Sequence, residues 1–575
     1  LHSHTHSFPT RRSSDPQMLK YLIVDDLIQA SDVLVLEQQE FDYLYPGKHV
    51  PKLLIDGSID FQGVTYHVSL DFAHQDGRKK EKIVSFVDPS ALLTEKLSNI
   101  TDEILTFLDI PEKAKSTFTA SWDAFESFYE GEQAWNLLKP NVAEQKYTQA
   151  LDIDPDFVLA KLRMAEVLRF RGGTARAQEL MHVIRPRLSE LSHIDSLRAE
   201  ALSARLSGEL RREIDILRAI YNRYSTRKEA PYDVAEAYYE ICDIKNAIDF
   251  YKRALDLDKN FARAHNHLAY SYSHLAEHDS ALTHFKKYVE LDSTANAFDS
   301  LGDGFMAAGV LDSAAWAKEE GIRLDPQLAY LYGGLCYIKI RAGQLEQAEE
   351  LANDYLSLSS EPESKANGYF RLALIQYARK NFRDALALAQ QGIETFDSHD
   401  IVTRNHGLHW LLGILYIETN LFDEAEIELE NMQRLIEANN ITATNYRTGI
   451  YKYSIHLRAC LAAAQGDLGT LLESIDEFDG PIKDKVKDHN SPFDLSFFNT
   501  HFSELLLKTS IDRPELAKDR LVKALEYNPN YAPAHYHLWR LYQQTGEQEK
   551  SRQALERVQL LWKHADADFL TIHGI

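Results

Sequence analysis

At 575 residues the chain exceeds what one compact core supports, so either several domains or a repeat array must account for it. Its 63 basic and 87 acidic residues give a formal net charge of −24, a field that repels a phosphate backbone and excludes nucleic acid as a natural partner. A hydrophobic fraction of 44% with 29 Tyr and 26 Phe excludes a disordered chain, and 25 Gly with 17 Pro are few for an all-β one, which leaves helices.

The chain opens on LHSHTHSFPTRRSSD, which has no apolar h-region and so does not read as a signal peptide. That string resembles translated sequencing adapter at the end of a gene fragment. Residues 1–17 are therefore read as a non-native leader, with the native protein extending upstream, and His2, His4 and His6 as no metal site. From 18 to 110 a small α/β domain is expected. Met18 to Gln29 reads as a helix and Val33 to Leu36 as a short buried strand. Leu53 to Ile55 runs into Asp56-Gly57, and alternation at Val64, Tyr66, Val68, Leu70 and Phe72 predicts a half-buried strand. Asp76-Gly77 signals a tight turn, Lys82 to Val87 the return strand, and Ser90 to Leu108 a closing amphipathic helix. Leu53-Leu54-Ile55-Asp56-Gly57-Ser58-Ile59, Tyr66-His67-Val68-Ser69-Leu70 and Ile104-Leu105-Thr106-Phe107-Leu108 resemble the TolB amino-terminal-like (FlgO-like) domain of bacterial signalling proteins.

From about residue 120 a period takes over. A small residue recurs at Ala143, Ala177, Ala247, Ala281, Ala314, Ala348, Ala385 and Ala425, with Glu213 standing in once, at gaps near 34; the register resumes at Ala517 and Ser551. About thirteen residues earlier lies a large-small pair, as in Leu268-Ala269, Leu301-Gly302, Leu372-Ala373 and Leu412-Gly413. Small residues let two helices approach while large ones fill the space beside them. Pro155, Pro326 and Pro529 stop second helices, and Gly309, Gly343, Gly466 and Gly546 mark the turns between helices. On these residues the chain resembles the tetratricopeptide-repeat (TPR) family over about 120–565. The expected fold is mostly α, a TPR α-solenoid of antiparallel helix pairs behind the small α/β domain. The array spans 120–474, an irregular linker or extended hairpin 475–502, and a last pair 503–565, where Ser551 to Lys563 looks like a capping helix.

Motifs for chemistry are missing. No G-x-x-x-x-G-K-S/T, H-E-x-x-H, G-x-S-x-G or C-x-x-C occurs, and no kinase set. Gly302-Asp303-Gly304 has the outline of a nucleotide loop but lies within a helix with no strand before it. His265, His267, His274, His278 and His284 cluster in one repeat and read as packing or solvated side chains. Cys242, Cys336 and Cys460 sit in apolar helical patterns and read as buried thiols, neither disulfides nor metal ligands. No cofactor is expected, and no apolar run approaches the roughly 20 residues that span a bilayer.

The family resemblance implies a protein or peptide ligand in a concave groove lined by the first helix of each pair. The matching positions are Arg263, Asn266, Tyr270 and His274, then Asn296, Asp299 and Asp303, then Tyr330, Tyr337 and Arg341. The combination of domains, with a tail Leu560 to Phe569 similar to kinase-associated TPR chains, implies a non-enzymatic interaction scaffold. It is expected to be the regulatory half of a bacterial signalling protein whose kinase or cyclase lies upstream. The alternative is a stand-alone scaffold for an envelope or secretion complex.

Overall fold

The computed structural model describes residues 53–62, 65–74, 79–86, 100 and 119–575, apart from 137–138, 172, 226, 396–405, 439–448, 483–492 and 510–513. Three strands come first: β1 (Leu53–Gln62), β2 (Thr65–His74) and β3 (Lys79–Phe86), an antiparallel sheet in the order β1-β2-β3. The sequence reading locates β2 by alternation and β3, expected over 82–87, as the return strand after Asp76-Gly77. It misses most of β1, which continues through Asp56-Gly57 to Gln62 because Gly57 pairs with Leu70 and Phe61 with Tyr66 in unbroken register. The helix expected over 18–29 and the strand over 33–36 lie outside the described residues. So does the helix over 90–108, except for Ile100, which is helical and buried in the core that Trp122 and Phe125 begin.

Every described element from 122 onward is a helix, and the chain divides into two compact units, one ending at Ala237 with 256–259 added, the other comprising Tyr238–Leu255 and Asn260–Ile575. The first unit holds three helix pairs: α1 (Trp122–Asn136) with α2 (Pro140–Ile153), α3 (Val158–Phe170) with α4 (Thr174–Ile184), and α5 (His193–Leu206) with α6 (Leu210–Arg223). The chain passes between the units through α7 (Glu229–Glu240) and α8 (Ile244–Leu257). The second unit continues with α9 (Ala262–His274), α10 (His278–Leu291), α11 (Ala295–Ala307), α12 (Leu311–Leu324), α13 (Ala329–Arg341), α14 (Leu345–Leu358), α15 (Pro362–Ala378) and α16 (Phe382–Glu394). It ends with α17 (His406–Glu418), α18 (Phe422–Ala438), α19 (Gly449–Ala464), α20 (Leu468–Glu477), α21 (Leu495–Thr509), α22 (Pro514–Tyr527), α23 (Ala532–Thr545), α24 (Gln548–Leu561) and the short α25 (Ala567–His573). No described helix is long and apolar enough to cross a membrane.

The periodic alanines explain the pairing. Ala143, Ala177, Ala247, Ala281, Ala314, Ala348, Ala385, Ala425 and Ala517 are all fully buried, each where the second helix of its pair is most crowded. Tyr147, Tyr251 and Phe285, four residues on, are equally inaccessible and fill the gap beside them. Glu213 breaks the series and is tolerated because Arg205 pairs with it.

Turns within the pairs repeat one device, a residue in the left-handed region that ends the first helix. Gly208, Gly309, Gly343, Gly466 and Gly546 have φ between 72° and 78°. Cys242, Ala276, Lys380 and Asn420 hold the same place at φ 57° to 61°. Cys242 is thus a turn residue of intermediate exposure, a correction to its reading as a buried helical thiol; Cys336 and Cys460 are buried as expected.

The expected linker 475–502 contains the end of α20, a π-helical turn at Phe478–Ile482, and the first half of α21. Asp494 starts α21 by accepting the backbone N–H of Phe497 at 3.0 Å.

Candidate functional site

In the second unit the helices at 495–575 return to the turns of the repeats at 262–346. His278 Nε2 donates to the Tyr527 carbonyl at 2.7 Å, Asn530 Nδ2 to that of Ala308 at 3.1 Å, and Trp562 Nε1 to that of Arg341 at 3.2 Å. The Asp566 N–H donates to Gly343 O at 3.0 Å, and the Asp566 carboxylate accepts the Glu346 N–H at 3.0 Å. Phe569 and Trp562 pack into one cluster with Cys336, Leu345 and Ala348. The carboxyl-terminal helices are therefore not a free cap; their aromatic side chains are buried against residues two hundred positions earlier.

A crevice of about 80 Å³ remains where these layers meet. Tyr270 and His274 of α9, Asp303 of α11 and Arg341 of α13 line one side, and Asp494, Ser496, the end of α22 at Tyr527 and Asn528 the other. Four of the ten groove residues named from sequence thus converge here. Arg341 spans it: its guanidinium lies 2.5 Å from Asp494 Oδ2 and 5.1 Å from the Tyr531 ring. Burial works against the Arg341 cation, but Asp494 and Tyr531 reverse that and hold it charged.

Behind the crevice sits a buried ion cluster. Lys318, reaching in from α12 and 2% exposed, places Nζ 2.6 Å from Asp299 Oδ1 and 2.5 Å from Asp303 Oδ1; Tyr270 donates its hydroxyl to the other Asp303 oxygen at 2.9 Å. One ammonium serves two carboxylates, so burial pushes Asp303 up to about 7 with Asp299 adding to the effect, although Lys318 pulls the other way. The glycines of Gly302-Asp303-Gly304 now have a packing role. A Cβ at Gly302 would lie 2.9 Å from Lys318 Cε, and one at Gly304 would lie 2.5 Å from the Phe285 ring. No phosphate cradle is needed to explain them.

The remaining groove residues are scattered. Tyr330 is 43% exposed. Asn296 donates to the Tyr288 hydroxyl at 3.0 Å, and Tyr337 is buried beneath the Arg371 guanidinium at 4.3 Å. Asn266 is 5% exposed, its Oδ1 buried without a hydrogen-bond partner, and Arg263 is half-buried near Tyr288. Three histidines of that repeat pack against other rings: His265 Nδ1 lies 2.8 Å from His284 Nδ1, and His267 meets the Tyr251 ring edge-on at 6.1 Å.

Sequence reading missed a second charged line, in the first unit. Arg163 of α3 lies 3.5 Å from Glu132, 3.3 Å from Glu166 and 2.9 Å from Asp195, while Arg198 of α5 reaches Asp233 at 3.6 Å. Burial drives Asp195 upward, yet Arg163 and Arg198 bring it below the ordinary carboxylate range. Glu166 is raised, burial outweighing the same two arginines. Acid and base on successive first helices were the available signal, but spacings of 31 to 35 do not mark a motif by themselves.

Residues 262–294, which are α9, α10 and their turn, match the family model of the tetratricopeptide repeat. No curated protein matches the chain. Among solved structures, MamA from Desulfovibrio magneticus is similar at 18% identity over 28% of this chain and 92% of its own, with a TM-score of 0.26. A tetratricopeptide repeat protein from Parabacteroides merdae is 13% identical over 51% and 99%, with a TM-score of 0.31. The APC/C Cut9–Hcn1 assembly offers a chain 12% identical over 83% and 99%, with a TM-score of 0.32. The fold reading rests on the helix pairs and their buried alanines rather than on these scores.

Proposed function

We propose that this chain, built of antiparallel helix pairs with a tetratricopeptide repeat at 262–294, is a protein–protein interaction scaffold that holds a peptide or protein segment along its first helices. One observation carries the reading. Tyr270, His274, Asp303 and Arg341 come from three consecutive repeats and converge on one crevice, with Tyr330 exposed on the same run of first helices. Arg341 is engaged within the chain by Asp494, and an exposed tyrosine such as Tyr330 is of the kind that carries binding energy at interfaces. The domain reading of 18–110, 120–474, 475–502 and 503–565 belongs to the same proposal. So does its context, the regulatory half of a bacterial signalling protein with its effector upstream. The resemblances at 53–59, 66–70 and 560–569 support that context.

The test is site-specific photocrosslinking from positions 274 and 330 in the source cell, followed by calorimetry with the crosslinked segment as a synthetic peptide. Binding should weaken at least tenfold in Tyr330→Ala and His274→Ala. Equal binding by both variants removes the groove from the reading. Sequencing across the 5′ junction tests the context: a kinase, cyclase or winged-helix frame upstream supports it, and a start codon near Met18 ends it.

A further inference from the structure

Apart from the residues that line the crevice, α19 and α21 bring three metal-binding side chains, two histidines and a cysteine, to one point. His456 and Cys460 lie one turn apart on α19 and so share a face, and His501 meets them from α21. His501 Nδ1 is 2.8 Å from His456 Nε2; Cys460 Sγ is 3.9 Å from His456 Nε2 and 4.0 Å from His501 Nδ1. His456 is fully buried and Cys460 is 4% exposed. The walls are aromatic: Phe498 and Phe502 have ring centroids 5.1 and 5.4 Å from that of His456.

Hydrogen bonding orients the donors. The indole of Trp410 can only donate, and it does so to His456 Nδ1 at 3.0 Å. His456 therefore carries its proton on Nε2 and donates to His501 Nδ1. The proton of His501 is left on Nε2, where Glu504 Oε2 stands 4.0 Å away. At that distance the carboxylate acts on His501 through its charge rather than through a hydrogen bond.

We infer that His456 Nε2, Cys460 Sγ and His501 Nδ1 form a trigonal site for a soft monovalent cation, Cu(I). Two imidazoles and one sulfur are the donor set of trigonal copper centres. Metal–nitrogen bonds of ~2.0 Å and metal–sulfur bonds of ~2.3 Å require the two nitrogens to separate by roughly 0.7 Å and the sulfur to close by a few tenths. Charge selects the ion. One thiolate and one monovalent cation leave the buried site neutral, whereas a divalent ion leaves an uncompensated positive charge. Zinc also wants a fourth ligand, and Glu504 faces the wrong nitrogen of His501. On binding, the Cys460 S–H bond breaks, its proton goes to solvent and a sulfur–copper bond forms. The His456 proton moves from Nε2 to Nδ1, and the Trp410 N–H releases that nitrogen. Nothing is oxidised or reduced.

Anaerobic titration of the purified full chain against the coloured Cu(I)–bicinchoninate complex tests this. One equivalent of copper should transfer, with about one proton released and a change in indole fluorescence that Trp410→Phe abolishes without abolishing binding. Cys460→Ala and His501→Gln should each weaken binding at least a hundredfold, and Cys242→Ala with Cys336→Ala should not. X-ray absorption of the wild-type complex, which needs no variant to fold, should show two nitrogens and one sulfur around copper. The inference is overturned if no copper transfers, if binding follows Cys242 or Cys336, if the shell is sulfur alone, or if Zn(II) binds as tightly with four ligands. None of these results depends on a peptide occupying the crevice.

Discussion

Lys318 is the side chain whose removal separates electrostatics from packing most cleanly. Its ammonium lies between Asp299 and Asp303 at 2.6 and 2.5 Å, and all three groups are buried. Lys318→Met keeps the stem volume and strands two carboxylates, so unfolding free energy should fall by about 3 kcal/mol at pH 8. Chemical denaturation measures it, and a loss below about 1 kcal/mol contradicts the buried triad. Asp303 adds a pH signature. An unfolded aspartate titrates near 3.8, and in the fold this carboxyl holds its proton to about 7. A raised value means its contribution is complete below 3.8 and is lost as pH climbs through 7. Asp303→Asn, which mimics the protonated form, should flatten that decline between pH 5 and 8; an unchanged slope refutes the assignment. The two aspartates were visible in the sequence as polar positions on first helices. Their partner was not, because a lysine nineteen residues on from Asp299, in a helix of ordinary composition, carries no local mark of burial. The cluster of His456, Cys460 and His501 was hidden for the same reason: 41 residues separate its last two members.

At the scale of the element, one left-handed turn serves nine described helix pairs, and its occupant decides its strain. Ala276 at φ 57° carries a Cβ penalty that glycine avoids, of about 1 to 2 kcal/mol, against a glycine entropy cost of about 0.5 to 1 kcal/mol. Ala276→Gly should therefore stabilise by about 0.5 kcal/mol in thermal melts, and a clear destabilisation contradicts the turn geometry. Gly466 and Gly343 share the same φ within a few degrees but differ in surroundings. A Cβ at Gly466 meets nothing within 4 Å, whereas one at Gly343 lies 2.6 Å from Phe569. Gly466→Ala should cost about 1 kcal/mol. Gly343→Ala should cost more and should raise amide exchange in α25; equal costs would mean that α25 does not dock there. The glycine turn at Gly208 was missed, and those at 309, 343, 466 and 546 were legible from sequence. Those at Cys242, Ala276, Lys380 and Asn420 were not, since a non-glycine residue in that region is imposed by the repeat around it.

For the second unit as a whole, periodic sequence predicts stacking of nearest neighbours, and the alanine series conveys that order plainly. It says nothing of residues seven repeats apart, so the docking of 495–575 on 278–346 had no local signal. Arg341→Ala, Asp494→Ala and the double variant test the link. Their effects on unfolding should be non-additive by about 1 to 3 kcal/mol, and simple additivity would show that the pair does not couple. Truncation after residue 561, which removes Trp562 and Phe569, should leave the helices of the first unit unchanged and increase protease cleavage at 308–346. Protection retained at 308–346 would rule the docking out.

That docking also bears on synthesis. His278 meets Tyr527, 249 residues later, so the turns at 276, 309 and 343 leave the ribosome bare and stay so until the last repeats arrive. At 5 to 20 residues per second that interval is about 10 to 50 s. During it the nascent chain presents the apolar surround of Cys336 and Leu345 to whatever chaperone or protease is near. The yield of folded protein should then depend on translation speed in the last third of the message.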